Sequence, residues 1–113
     1  MVGQERTPGR GDLIWLSFDT HKGHEQKGKR PALVLSPKAY NEKVGLALMC
    51  LITTKKKGYP FEVDLPEDCP IDGVILSDQV KSLDWRARES EIAGTAPSSV
   101  LSETLQKLCT LLT

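Results

Sequence analysis

Asp19, His21, His24, Glu25 and Arg30 form the densest set of ionisable side chains in this sequence, and Thr53-Thr54 stands later in the chain directly before Lys55-Lys56-Lys57. Two chemistries fit such a set. One is metal ligation, since His21 and His24 make an HxxH pair with carboxylates nearby. That spacing is loose, and loop histidines are more often plain exposed side chains. The other needs no metal. RNA carries its own nucleophile, the 2′-hydroxyl: a base removes its proton, a cation steadies the charge on the phosphorane, and an acid protonates the departing 5′-oxygen. Glu25 or a histidine can be the base, Arg30 can clamp the phosphate through two hydrogen bonds, and Thr53 or Thr54 can place a hydroxyl on it. Adjacent strand residues point to opposite faces, so only one of the two threonines should reach a common site. Tyr59 and Phe61 beside the triple lysine, and Arg86 and Arg88 beside Trp85, add planar groups of the kind that grip single strands.

These residues need a scaffold, and the pattern supplies a mostly β one. Gly11–Phe18 alternates as a strand, with Trp15 and Phe18 assigned to the core. Residues 19–29 lack a large apolar side chain and read as a long exposed loop. Arg30–Ser36 is a continuous apolar run, hence a buried second strand with Pro31 at its beginning. Val44–Thr54 is a third strand by its β-branched close. Tyr59–Leu65 is a fourth, Val74–Leu76 a fifth, and Gln79–Trp85 a sixth entered through a turn at Asp78. From Pro97 the period changes: Leu101, Leu105, Leu108 and Leu112 share one face of a helix over 97–112 that should pack on the sheet. The expected architecture is one domain over 1–113, with a flexible arm over 1–10 and a small, strongly bent antiparallel sheet or partly open barrel followed by the terminal helix.

The chain has 15 Lys plus Arg against 15 Asp plus Glu, a balance that at first argues against a nucleic-acid binder. The balance is an average. Residues 1–65 carry +4, residues 66–113 carry −4, and Thr20–Phe61 alone holds nine basic against two acidic residues. A positive surface able to follow a phosphate backbone therefore lies in the segment that also holds Glu25, Arg30 and Thr53. No apolar run is long enough for a membrane span or a secretory signal, which points to the cytoplasm. The odd, scattered Cys50, Cys69 and Cys109 are expected reduced, with Cys50 and Cys109 as small core residues.

The segments GDLIWLSFDTHKGHEQKGKRPALVLSP, ITTKKKGYPFEV and GVILSDQVKSLDWRAR occur in the order seen in the MazF branch of the MazF/PemK toxin family, which the chain resembles from Gly11 to about Arg88 and on into the terminal helix. That resemblance implies a small SH3-like barrel with a C-terminal helix, working as a homodimer. It also implies an mRNA interferase, a ribosome-independent endoribonuclease that cuts single-stranded RNA without metal or other cofactor, leaving a 2′,3′-cyclic phosphate and a 5′-hydroxyl. In the implied site Arg30 is the principal catalytic residue, Thr53 contacts the scissile phosphate, and Glu25 supports catalysis or orients the arginine. Lys57, Tyr59, Gln79, Lys81 and Arg86 are implied RNA contacts. His21 and His24 stand where the family needs no histidine. The implied partner is a cognate antitoxin, MazE-like, whose acidic tail would dock on the basic segment. Two rivals are a toxin of this fold that inhibits DNA gyrase by binding it, and an RNA-binding module without activity.

Overall fold

The computed structural model describes residues 6–17 and 28–113. In chain order the elements are β1 (Asp12–Ser17), β2 (Lys29–Val34), α1 (Lys38–Val44), β3 (Ala47–Thr53), β4 (Glu62–Asp64), β5 (Val74–Leu83), β6 (Glu91–Thr95) and α2 (Ser98–Leu112). The six strands make one antiparallel sheet in the order β4-β5-β3-β2-β1-β6. The sheet does not close on itself, an open version of the expected small barrel that fits an SH3-like fold at a coarse level.

The central strands are apolar on both faces because both faces are covered. Leu13, Leu33, Cys50, Ile52 and Ile75 point into a core shared with Ile71 and Val100, over which Leu101, Leu105 and Leu108 of α2 pack. The alternate residues Ile14, Leu16, Ala32, Val34 and Met49 pack around Trp85 on the other side. A continuous apolar run in β2 is the sequence trace of this double burial.

Several expectations need correction. The expected Val74–Leu76 and Gln79–Trp85 strands are one strand that ends at Leu83, and the turn expected at Asp78 is an irregularity within it. Ile75 faces Ile52 while Val80 faces Cys50, so residues 76–79 stand against Leu51 alone. Such a bulge bends the strand and re-aims its side chains. Between Pro37 and Gly45 lies the short helix α1, closed by Gly45 in the left-handed conformation at φ 83°; seven residues are too few for helical periodicity to show. The edge strand β6 is likewise an addition to the expected strands. It pairs with β1, and only its alternate side chains are half-buried. The end of the arm thought flexible is anchored: buried Asn41 donates to the Pro8 carbonyl at 2.8 Å, and Arg10 Nε donates to the Leu35 carbonyl. Cys109 is exposed on α2, whereas Cys50 is buried as expected. Burial pushes the Cys50 thiol up to about 12, with Asp78 adding to the shift. None of the described helices is long and apolar enough to cross a membrane.

Candidate functional site

Arg30 and Thr53 meet because of strand register. In the β2–β3 ladder Ala32 faces Leu51 and Leu33 faces Cys50; continued two residues, that register sets Arg30 opposite Thr53. Directly opposed side chains lie on the same face. Both line a groove with Lys55, Lys57, Tyr59, Glu62 and Gln79, a cavity of about 340 Å³. Arg30 is exposed and Thr53 half-buried, so a polyanion can reach both.

The threonine is oriented. Its Oγ1 accepts the Lys55 backbone N–H at 3.1 Å, which uses one lone pair and leaves the O–H proton to be donated outward. Thr53 lines this groove and the cavity beyond it, whereas Thr54 lines only the second. A further constraint comes from Gly73, whose φ is 123° and where any Cβ would collide with the Thr53 carbonyl oxygen. That close approach requires glycine and fixes the end of β3 against the start of β5.

The basic turn after β3 is built around a carboxylate. Glu62, 8% exposed, accepts the backbone N–H groups of Lys57 and Gly58, each at 2.8 Å. Lys107 of α2 donates to the Pro60 and Glu62 carbonyls. Tyr59 Oη donates to Asp78 at 2.7 Å, and this bond holds the phenol in its protonated form up to about 12. Of the three lysines, Lys56 pairs with Asp64 at 2.9 Å, which raises its pKa, chiefly through the hydrogen bond between them. Lys55 and Lys57 are the two that line the groove. Gln79 reaches it from the β5 irregularity.

Other candidates lie elsewhere. Lys81 is exposed opposite Met49 on β5 and lines neither cavity at Arg30. Arg86 lies over the Trp85 ring at 4.6 Å, in a shallow depression with Val44, Gly45 and Asp84. Trp85 itself is 1% exposed, with its indole N–H donated to the Asn41 carbonyl; its ring is core and cannot stack on a base. Trp15 is the converse, half-buried against the core while lining the second cavity. Glu25, Asp19, Phe18, His21 and His24 lie outside the described residues. Sequence reasoning missed Glu62 and Gly73. The traces of the two were a polar member of an alternating strand segment and the glycine that ends the acidic turn.

The arrangement is one cation and one oriented hydroxyl side by side, with two lysines and an amide along the groove. It can bind a phosphodiester and stabilise added negative charge on it. Comparison with known proteins points the same way. Residues 9–112 match the family described as PemK-like, MazF-like toxin of type II toxin-antitoxin system. The endoribonuclease toxin MazF of Escherichia coli K12 is 57% identical over 88 residues, 78% of each chain. The endoribonuclease toxin ChpB of the same strain is 37% identical over 105 residues, 88% of this chain and 89% of that one. A chain of the MazE-MazF crystal structure (Form-II) from Deinococcus radiodurans superposes with a TM-score of 0.89 at 51% identity, covering 96% of this chain and 97% of that one.

Proposed function

The chain belongs to the PemK-like, MazF-like toxins of type II toxin-antitoxin systems, and from that premise we propose that it is an endoribonuclease that cuts single-stranded RNA at Arg30 and Thr53. The observation that carries this reading is that these two residues, from β2 and β3, line one groove together and both border the cavity next to it. A non-bridging oxygen of the scissile phosphate accepts hydrogen bonds from the Arg30 guanidinium and from the Thr53 hydroxyl. Both bonds strengthen as the 2′-oxygen attacks and a second negative charge develops on phosphorus, so they favour the transition state over the bound substrate. The 2′-O–P bond forms as the P–5′-O bond breaks, leaving a 2′,3′-cyclic phosphate and a 5′-hydroxyl. No step in this scheme calls for a metal. Family resemblance assigns Glu25 to support the proton transfers or to orient Arg30. Lys55 and Lys57 neutralise flanking phosphates.

Cleavage of mRNA supports a cytoplasmic protein, and a gyrase-binding role has no need of a phosphate-directed Arg and Thr. A MazE-like antitoxin with an acidic segment is the expected inhibitor, its carboxylates competing for Arg30, Lys55 and Lys57. The working unit is a homodimer. An apolar groove of about 550 Å³ with Leu35, Leu48, Leu108, Leu111 and Leu112 in its walls leaves Leu112 70% exposed, surface that a second copy can cover. The direct test incubates the protein with a long single-stranded RNA in EDTA and maps the ends. Discrete cuts bearing cyclic phosphates are expected; intact RNA from a folded sample refutes the assignment.

A further inference from the structure

The groove does not end at Arg30 and Thr53. These two residues and Ile52 also line a second cavity of about 560 Å³, whose other lining residues are Trp15, Pro31, Thr54, Pro70, Ile71 and Asp72. An RNA chain whose scissile phosphate lies on the shared residues extends away from it in both directions, so the nucleotides on the two sides of the cut meet different walls. On one side the lining offers Lys55, Lys57 and Gln79. On the other Arg30 is the single cation among the described lining residues, and Asp72 is a carboxylate.

We propose that this second cavity is a base-selecting subsite, taking the nucleobase next to the cut against Trp15 and the prolines, with Asp72 accepting protons from an exocyclic amino group. The proposal rests on the ribonuclease reading above. A carboxylate repels phosphate, which leaves the base as the part of the nucleotide that fits there. Trp15 offers a partly exposed indole, and Pro31 sits opposite it in the β1–β2 ladder; such surfaces accept any base face. Selection then falls to Asp72. Adenine N6 and cytosine N4 are donors that pair with a carboxylate, as are the N1–H and N2 amino group of guanine. Uracil instead carries a carbonyl on each side of its N3–H, so it sets acceptors against an acceptor. The backbone that carries this carboxylate is also held in place. On one side of it Ile71 is buried in the core at 2% exposure, and on the other Gly73 is packed against the Thr53 carbonyl. Pro70 is seated on Gly94 of β6, where any Cβ would fall 2.8 Å from its ring. The backbone at Asp72 is thereby fixed against the end of the strand that carries Thr53.

The test uses short single-stranded RNAs carrying one mapped cleavage site, varied one nucleotide at a time on each side of it, with kcat/KM as the readout. At one adjoining position the wild-type protein should cleave the uracil substrate about 10- to 100-fold less efficiently than the best amino-bearing base, the size expected for one specific pair. Asp72→Asn, which can offer an amide N–H to uracil, should shrink that preference at this position alone. Replacing a preferred adenine there by purine riboside, which lacks the amino group, should cost the wild-type protein most of the same factor and the variant little. Unchanged selectivity in Asp72→Asn, or no discrimination against uracil at either adjoining position, would overturn the subsite while leaving the ribonuclease reading intact. Failure of the wild-type protein to cleave any of the RNAs would overturn that reading itself.

Discussion

The two flanks of the Arg30–Thr53 pair are held by different means. The Lys55–Tyr59 flank is a polar construction: the Glu62 carboxylate takes two backbone N–H groups, Tyr59 is bonded to Asp78, and Lys107 reaches across from α2. The Pro70–Gly73 flank is held by packing, through buried Ile71, Pro70 on Gly94, and Gly73 on the end of β3. Hydrogen bonds to a charged group hold a basic turn that mutual Lys repulsion would otherwise open, and close packing fixes distances with little tolerance. The polar flank therefore suits phosphate gripping, and the packed flank suits discrimination among bases.

Disturbing the pair itself should have the largest effect. Arg30→Ala is expected to lower kcat by about 10³-fold, the upper range for loss of one charge-stabilising donor, while circular dichroism and the oligomeric state are unchanged because the side chain is exposed. Full activity in this variant would place the chemistry elsewhere. On the packed flank, Gly73→Ala must displace the Thr53–Thr54 backbone. A shift on the order of 1 Å costs roughly 10²-fold in turnover, so kcat should fall with KM little changed, accompanied by a lowered melting temperature.

The polar flank should respond in the opposite sense. Glu62→Gln keeps one acceptor for the turn and sets an amide donor against the other N–H; the unsatisfied contact corresponds to about tenfold weaker RNA binding, read as a raised KM with kcat nearly retained. Equal losses in kcat for Gly73→Ala and Glu62→Gln would erase the distinction between the flanks. The smallest effect belongs to Arg86→Ala, outside both cavities, for which kcat/KM should stay within about twofold, as for surface changes generally.

How much of this was legible in the sequence depended on range. β1, β2 and β3 showed through alternation and β-branched residues, and α2 through the spacing of Leu101, Leu105 and Leu108, because local periodicity reports burial of a face. Arg30 and Thr53 stand out by motif, whereas the register between their strands is not legible there, because the β2–β3 connection holds the short helix α1. What the sequence hid was set by distant contacts. Trp85 looked like a stacking platform because it adjoins two arginines, yet its indole is consumed by Asn41, more than forty residues earlier. The value of Gly73 rests on a backbone twenty residues away, and Glu62 looked like the polar member of an alternating strand until the turn folded back onto its carboxylate.

In this mechanism the RNA supplies its own nucleophile over Arg30 and Thr53. The most direct measurement compares a short single-stranded RNA with the same strand carrying one 2′-deoxynucleotide immediately 5′ of the mapped cut, in EDTA. This single replacement is expected to abolish cleavage at that bond while the strand still binds. Cleavage of the deoxy-substituted bond at a comparable rate would contradict it.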